Sequence, residues 1–417
     1  MTSAVPSVPD PQLLAASYQA VRAFTMQLAA PLSAEDCMVQ SMPDVSPTKW
    51  HLAHTSWFFE HFLLREFLSG YRVFDERFGY LFNSYYYQVG QMHRRPERGF
   101  LSRPALAEVM AYREHVDAHM QRLLSEADAE VRRRTVLGLN HEQQHQELIL
   151  TDIKHVFSCN PLKPAYRERE DTVAGSPPPL RFIEVPAGVQ RIGHEGEGFA
   201  YDNESPVHEV MIQPAVIANR LVTNGEYREF IRDGGYRRPE FWLSQGWSTV
   251  QEQGWQRPLY WNEDLSAEFT LAGMREIRDD APVCHVSYFE ADAFARWADA
   301  RLPREAEWEA WARGCELGGN FADSGALHPQ PASGDGKLQV FGDAWEWTMS
   351  AYSAYPGYRP DDGALGEYNG KFMCGQYVLR GGSCATHSTH IRPTYRNFFY
   401  PADRWQFSGI RLARDAA

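Results

Sequence analysis

His141 and His145 lie four residues apart in the stretch HEQQHQE. On a helix that spacing stacks both imidazoles on one face, where a single metal ion can meet them. The competing reading is a solvated pair on a Gln/Glu-rich helix. Leu137, Leu148 and Asp152 share the histidine face, which points it inward. One ion needs at least a third ligand. The upstream stretch KWHLAHTSWFFEHFLLREFL offers His51, His54 and His61. His51 and His54 fall near one helical face, with Trp57, Phe58 and Phe62 to pack around them. Residue types alone leave the third ligand open among the three. Three neutral imidazoles with open positions hold Zn or Fe(II), and the donor set does not choose between them.

Glu142 follows the first histidine of the pair, which gives a superficial likeness to the zincin HExxH motif. A second group of chemical residues lies between the two histidine stretches. Tyr85, Tyr86 and Tyr87 run without interruption. A tyrosine beside a redox metal can give up a proton or orient a substrate through its hydroxyl. The plainer role is bracing the connection. Arg94, Arg95 and Arg98 follow as a compact cationic cluster, suited to a carboxylate ligand or to salt bridges with Glu97 or Asp75.

These residues need elements to position them. Residues 11–30 are rich in helix formers. A second helix is expected from Ser46 as N-cap and Pro47 as first helical residue, ending before Gly70. A third covers about 104–126 and a fourth about 128–158. Four such helices fit an antiparallel bundle, whose interior commonly builds metal sites. The long aromatic connection between the second and third helices carries the tyrosines and arginines, and long ordered connections are often functional. A Pro-, Gly- and Ser-containing linker is expected at 166–180, separating residues 1–165 from 181–417. Beyond it, short apolar stretches alternate with Gly, Pro and Asp. Only about 288–300 and 304–313 read as helical, which implies an irregular α+β domain.

The chain has 417 residues, 41 Lys+Arg and 54 Asp+Glu, for a net charge of −13. No basic block is long enough to follow a phosphate backbone, so nucleic acid is not an expected partner. No run of about 18 apolar residues occurs, so no membrane span is expected. The first residues lack a secretory signal pattern. The six cysteines form no CxxC pair, which fits reduced thiols in a cytoplasm.

Three blocks in the second half carry a resemblance: PVCHVSYFEADAFARWADARLPREAEWEAWARG, GDAWEWTMSAY and RGGSCATHSTHIRPTYRNFFYPADRWQFSGIRLA. They resemble the formylglycine-generating-enzyme domain, a C-type-lectin-like fold, over roughly 181–417. Catalytic members of that family carry a cysteine pair after RGGS. Here Cys384 stands alone, with Thr386, His387, His390 and Ile391 around the expected second position, which argues against formylglycine formation. The first part is similar to a DinB-type four-helix bundle, with LAH on one helix and HEQQHQE on a later one. The two in this order resemble the sulfoxide synthases of ergothioneine biosynthesis.

That resemblance implies an α+β multidomain, non-haem iron (Fe(2+)) enzyme. It would use O2 to join a thiol sulfur to imidazole C2 of hercynine (Nα-trimethylhistidine), giving a sulfoxide. It implies His54, His141 and His145 as ligands, Gln144 near hercynine's imidazole, and Asn397 near its carboxylate or ammonium. Phe398 is a candidate wall for the trimethylammonium. The γ-glutamylcysteine branch has Trp-Asp after Arg-Asn; here Phe398 and Phe399 follow Asn397. The cysteine branch is similar to NSYYxxVG, which Asn83 to Gly90 match. That similarity implies Tyr85 and Tyr86 as the acid, and Arg95 and Arg98 as holders of cysteine's carboxylate. Tyr400 stands where proline is common in that branch, and Met92 in place of a basic residue. Rival readings are a selenium donor on the same fold, a zinc-dependent thiol transferase on the bundle, and a non-catalytic binding module.

Overall fold

The structure, a computed structural model, describes residues 10–168 and 176–416. Part of the linker expected at 166–180 therefore lies outside the described residues. The chain divides into two compact units. The first comprises Met1–Pro161, Glu195–Tyr201 and Pro360–Gly370; the second comprises Leu162–His194, Asp202–Arg359 and Lys371–Ala417.

Four long helices build the first unit: α1 (Pro11–Ala29), α2 (Thr48–Phe59), α3 (Leu106–Leu124) and α4 (Ala129–Cys159). Asp10 caps α1 through Gln12 N, and Asp128 caps α4 through Val131 N. α1 packs on α4, and α2 packs on both α3 and α4. Gly138 lets α2 and α4 approach closely: a Cβ there would lie 2.6 Å from Phe59 Cε1 and 3.0 Å from Phe58 Cε1. That approach brings the histidines of the two helices face to face.

The start of α2 differs from expectation. Pro47, not Ser46, holds the N-cap position, and no side chain caps the helix. Ser46 is drawn away into other bonds. Its backbone N–H donates to Asp152 Oδ2 at 2.7 Å and its hydroxyl accepts from Arg98 Nη1 at 2.9 Å. α2 also runs into a π-helical turn at Glu60–Leu64 before ending at Phe67. Such turns are rare, and helical periodicity gives no warning of them. Here the buried Glu60 carboxylate accepts from the Tyr71 and Tyr112 hydroxyls, tying the start of the long connection to α3.

The second unit has the expected irregular α+β, C-type-lectin-like architecture. Its largest sheet has four strands in the order β11 (Asn397–Phe399), β10 (Tyr377–Arg380), β9 (Trp345–Ala351) and β12 (Ser408–Gly409). A three-stranded sheet joins β1 (Phe182–Glu184), β4 (Ala215–Ala218) and β13 (Ala413–Asp415). The pairs β2 (Gly188–Ile192) with β3 (His208–Ile212), β5 (Ala267–Thr270) with β6 (Gly273–Glu276), and β7 (Gly319–Asn320) with β8 (Phe341–Gly342) complete the strands.

The two expected helices are present as α7 (Tyr288–Trp297) and α8 (Glu305–Ala312). Two more, α5 (Asn224–Arg232) and α6 (Ser244–Gln253), are additional to the expectation. Thr223 and Glu226 form a capping box that marks the start of α5. Trp308, Trp311, Trp345 and Trp347 fill the core of this unit. Its buried charges are matched, as in Arg411 with Glu346 at 2.7 Å and Arg396 with Glu305 at 2.6 Å. Among the described residues no helix is long and apolar enough to cross a membrane.

Candidate metal centre

His54 of α2 meets His141 and His145 of α4 inside the first unit. All three are buried, and one nitrogen from each lies within 4.8 Å of the others. His54 and His141 approach at 3.1 Å between their Nε2 atoms. Burial comes first among the causes that hold these rings neutral. It pushes His54 and His145 well below the ordinary imidazole value, with the neighbouring histidines adding to the effect, and His141 down to about 3.

The ring partners fix which nitrogens keep a lone pair. His54 Nδ1 sits 2.6 Å from the Phe82 carbonyl, which only accepts, so Nδ1 carries the proton and Nε2 is a base. His51 is 3.0 Å from Asp152 Oδ2 through Nε2 and 2.8 Å from His145 Nδ1 through Nδ1. Asp152 Oδ2 accepts from His51 Nε2–H, so His51 Nδ1 accepts from His145 Nδ1–H. His145 Nε2 is then left as a lone pair. A carboxylate–histidine chain of this kind sets the tautomer of a metal ligand. His141 Nδ1 is buried with no hydrogen-bond partner among the described residues.

Three convergent imidazoles, two forced to present Nε2 and one with an orphaned buried nitrogen, fit a single ion of the imidazole-loving class. His51 therefore belongs to this cluster, but as the residue that orients His145. His61 lies on the π-helical turn, stacked on Trp57 at 5.3 Å, and is not part of the converging group.

Glu142 does not act as the zincin likeness would have it. It points into a different cluster, bonded to Arg22 at 2.9 Å, Arg113 at 3.0 Å and Thr25 at 2.7 Å. Burial raises its affinity for a proton, but the two guanidiniums outweigh this and hold its carboxyl at about 2.

The connection between α2 and α3 brings Arg98 and Tyr86 against Trp50 and Trp57, the two indoles stacked on His54. Arg98 lies over Trp50 at 3.3 Å, and Trp50 in turn stacks on His54 at 4.5 Å. Arg98 donates to Ser46 and Ser84, each at 2.9 Å. Arg95 Nη1 donates to the Tyr85 hydroxyl at 3.0 Å, and Arg95 Nη2 donates to the Asp44 carbonyl. Tyr85 is 37% exposed. Desolvation of its hydroxyl works upward, yet Arg95 and Arg98 prevail and hold it below the ordinary phenol value. Tyr86 differs. It is buried against Trp57 and Phe62, its hydroxyl has no hydrogen-bond partner among the described residues, and burial pushes its pKa up. Tyr87 is exposed, and Arg94 pairs with Glu97 at 2.7 Å on the surface.

Gln144 lies one residue before His145, and its Oε1 accepts from the Tyr368 hydroxyl. Tyr368 stacks on Tyr201 at 5.4 Å, and its ring lies 5.7 Å from that of His141. Both tyrosines come from the two short excursions that cluster with the helices. Nothing in the local sequence flagged them, because they sit in irregular segments with no periodicity. Asn397 and Phe398 belong to the second unit. They lie on β11, paired with Leu379 and Val378, and Phe398 stacks on Tyr352 at 4.1 Å.

Comparison with known proteins adds two domain matches. Residues 172–333 and 328–416 match the sulfatase-modifying factor enzyme 1-like domain, and residues 17–149 match the DinB superfamily. The chain is 38% identical over 319 residues to the hercynine oxygenase of Mycolicibacterium smegmatis, covering 68% of this chain and 72% of that one. It is 34% identical over 437 residues to the hercynine oxygenase of Mycobacterium tuberculosis, covering 97% of this chain and 99% of that one. It is also 28% identical to ergothioneine biosynthesis protein 1 of Schizosaccharomyces pombe, over 52% of this chain and 28% of that one.

Proposed function

Because this chain belongs to the hercynine oxygenase family, and is accordingly an enzyme, we propose that it joins the sulfur of cysteine to imidazole C2 of hercynine in ergothioneine biosynthesis. The reaction balances without an external reductant. The C2 hydrogen and the thiol hydrogen leave with one oxygen atom of O2 as water, and the other oxygen atom becomes the sulfoxide. The observation that carries the reading is the convergence of His54, His141 and His145 as neutral donors.

These three residues would hold Fe(2+). When bound, iron supplies the redox chemistry that couples O2 reduction to carbon–sulfur bond formation. The chain's own groups do the rest. Asp152 and His51 fix the His145 tautomer, and the Phe82 carbonyl fixes that of His54. Gln144 contacts the imidazole of hercynine, Asn397 its carboxylate or ammonium, and Phe398 its trimethylammonium. Arg95 and Arg98 receive the carboxylate of cysteine, and Tyr85 or Tyr86 delivers the proton. The arginine-flanked hydroxyl of Tyr85 supports it over the walled-in Tyr86 as the group that meets the donor substrate.

Cysteine is favoured over γ-glutamylcysteine because Phe398 and Phe399 follow Asn397, leaving no carboxylate there for a γ-glutamyl amine. Six free cysteines suit a cytoplasmic enzyme. The test is anaerobic loading with Fe(II), followed by air, hercynine and either cysteine or γ-glutamylcysteine, read by mass spectrometry. A sulfoxide adduct with cysteine is expected. No carbon–sulfur adduct with either donor would sink the reading.

A further inference from the structure

Tyr85 has a φ of 69°. A bulky residue occupies the left-handed region only when its surroundings over-determine it, and such strain clusters where function needs a fixed side chain. The immediate neighbours supply part of the constraint. Tyr85 N donates to Met92 Sδ at 3.3 Å, and Asn83 Nδ2 donates to the Tyr86 carbonyl at 3.1 Å.

A distant residue supplies the rest. Glu367 accepts from Tyr87 N at 3.0 Å through Oε2 and from Gln88 N at 2.8 Å through Oε1. Both oxygens of one carboxylate thus grip two successive amides just past the strained residue, and charged acceptors make the stronger hydrogen bonds. The segment that carries Glu367 is itself fastened to α4 at two points. Asp361 pairs with Arg133 at 3.0 Å, and Tyr368 donates to Gln144. Glu367 therefore links the helix that bears His141 and His145 to the turn that bears Tyr85.

We propose that Glu367 is a positioning residue that holds the tyrosine turn in its strained form and so sets the partition between two products. With the Tyr85 hydroxyl in place, cysteine and hercynine give the sulfoxide. With it displaced, cysteine alone takes up both atoms of O2 and becomes the sulfinic acid. This inference rests on the function proposed above.

The test uses the full chain with Glu367→Ala, Glu367→Gln and, as a benchmark, Tyr85→Phe. On metal-free protein, amide hydrogen exchange at Tyr87 and Gln88 is expected to quicken on the order of tenfold to a hundredfold in Glu367→Ala, with α4 amides unchanged. Glu367→Gln, which keeps an acceptor but no charge, is expected to fall between. On iron-loaded protein the ratio of sulfoxide to sulfinate is expected to drop about tenfold in Glu367→Ala, toward that of Tyr85→Phe, with KM for hercynine within about twofold. Glu367→Gln should recover part of the ratio, and it carries the test if the alanine variant fails to fold. Unchanged exchange would overturn the clamp. Faster exchange with a wild-type product ratio would overturn the positioning role. If wild-type protein itself forms no carbon–sulfur product, the proposed function fails, and the exchange measurement still decides the clamp by itself.

Discussion

Helix α4 buries two polar clusters whose anchoring residues are adjacent in sequence. Glu142 faces one of them, His141 and His145 the other. Glu142 is fully buried and meets two guanidiniums and a hydroxyl, so its charge is matched on every side. The histidines meet no guanidinium in the same way. They are held neutral, and one nitrogen of each lies within 4.8 Å of the others. Helical rotation puts Glu142 about 100° from His141 and about 60° from His145, to one side of the histidine face. A buried polar group that is satisfied by its neighbours belongs to the architecture; one whose donors converge without partners is prepared for something that arrives from outside.

Each face can be disrupted by itself. Replacing His141 or His145 by alanine is expected to abolish metal retention, measured by elemental analysis, and to cut sulfoxide formation by a thousandfold or more, about 4 kcal/mol in the barrier. Metal-free protein should lose only the stability that a cavity in the bundle costs, with no buried charge left unpaired. Glu142→Gln should behave in the opposite manner. It leaves Arg22 and Arg113 without their shared countercharge, and denaturant titration should show a loss of about 3–5 kcal/mol, while the folded fraction still binds metal. Metal loss without destabilisation would erase the distinction between the faces.

Asp152→Asn tests the boundary between the two kinds of site. Its charge is lost from the chain that fixes His145, so metal affinity in a competition titration should weaken about 10–100-fold with little change in stability. Gly138→Ala gives the smallest effect, about 1–3 kcal/mol of destabilisation by overpacking against Phe58 and Phe59. An unchanged or raised melting temperature would show that the two helices can separate without cost.

The helical half was legible in the sequence because its elements are long and periodic; α4 alone spans 31 residues. The pairing of His141 with His145 followed from spacing. The choice between His51 and His54 did not, because both rings reach the same cluster. What separates their roles is the partner of each ring, Asp152 for one and the Phe82 carbonyl for the other, and neither partner is near in sequence. Ser46 looked like a helix cap because a serine before Pro47 ordinarily is one; two stronger buried partners claimed it. α5 and α6 escaped notice although they are of much the same length as α7 and α8; the capping box of Thr223 and Glu226 was the local signal for α5 that went unread. Glu367 and Tyr368 were invisible for a different reason. Their significance lies in a contact more than two hundred residues away, and no local pattern encodes that.

The two short excursions, Glu195–Tyr201 and Pro360–Gly370, fall inside the stretch that matches the sulfatase-modifying factor domain, yet they cluster with the helices. This has a consequence at the level of the gene. A split of the reading frame near residue 161 would separate the metal ligands from the tyrosine and glutamate that dress them. The first fragment would keep its three histidines and lose the surroundings of Gln144. Insertions or recombination joints placed anywhere between the excursions would change the length of chain that must return to the bundle.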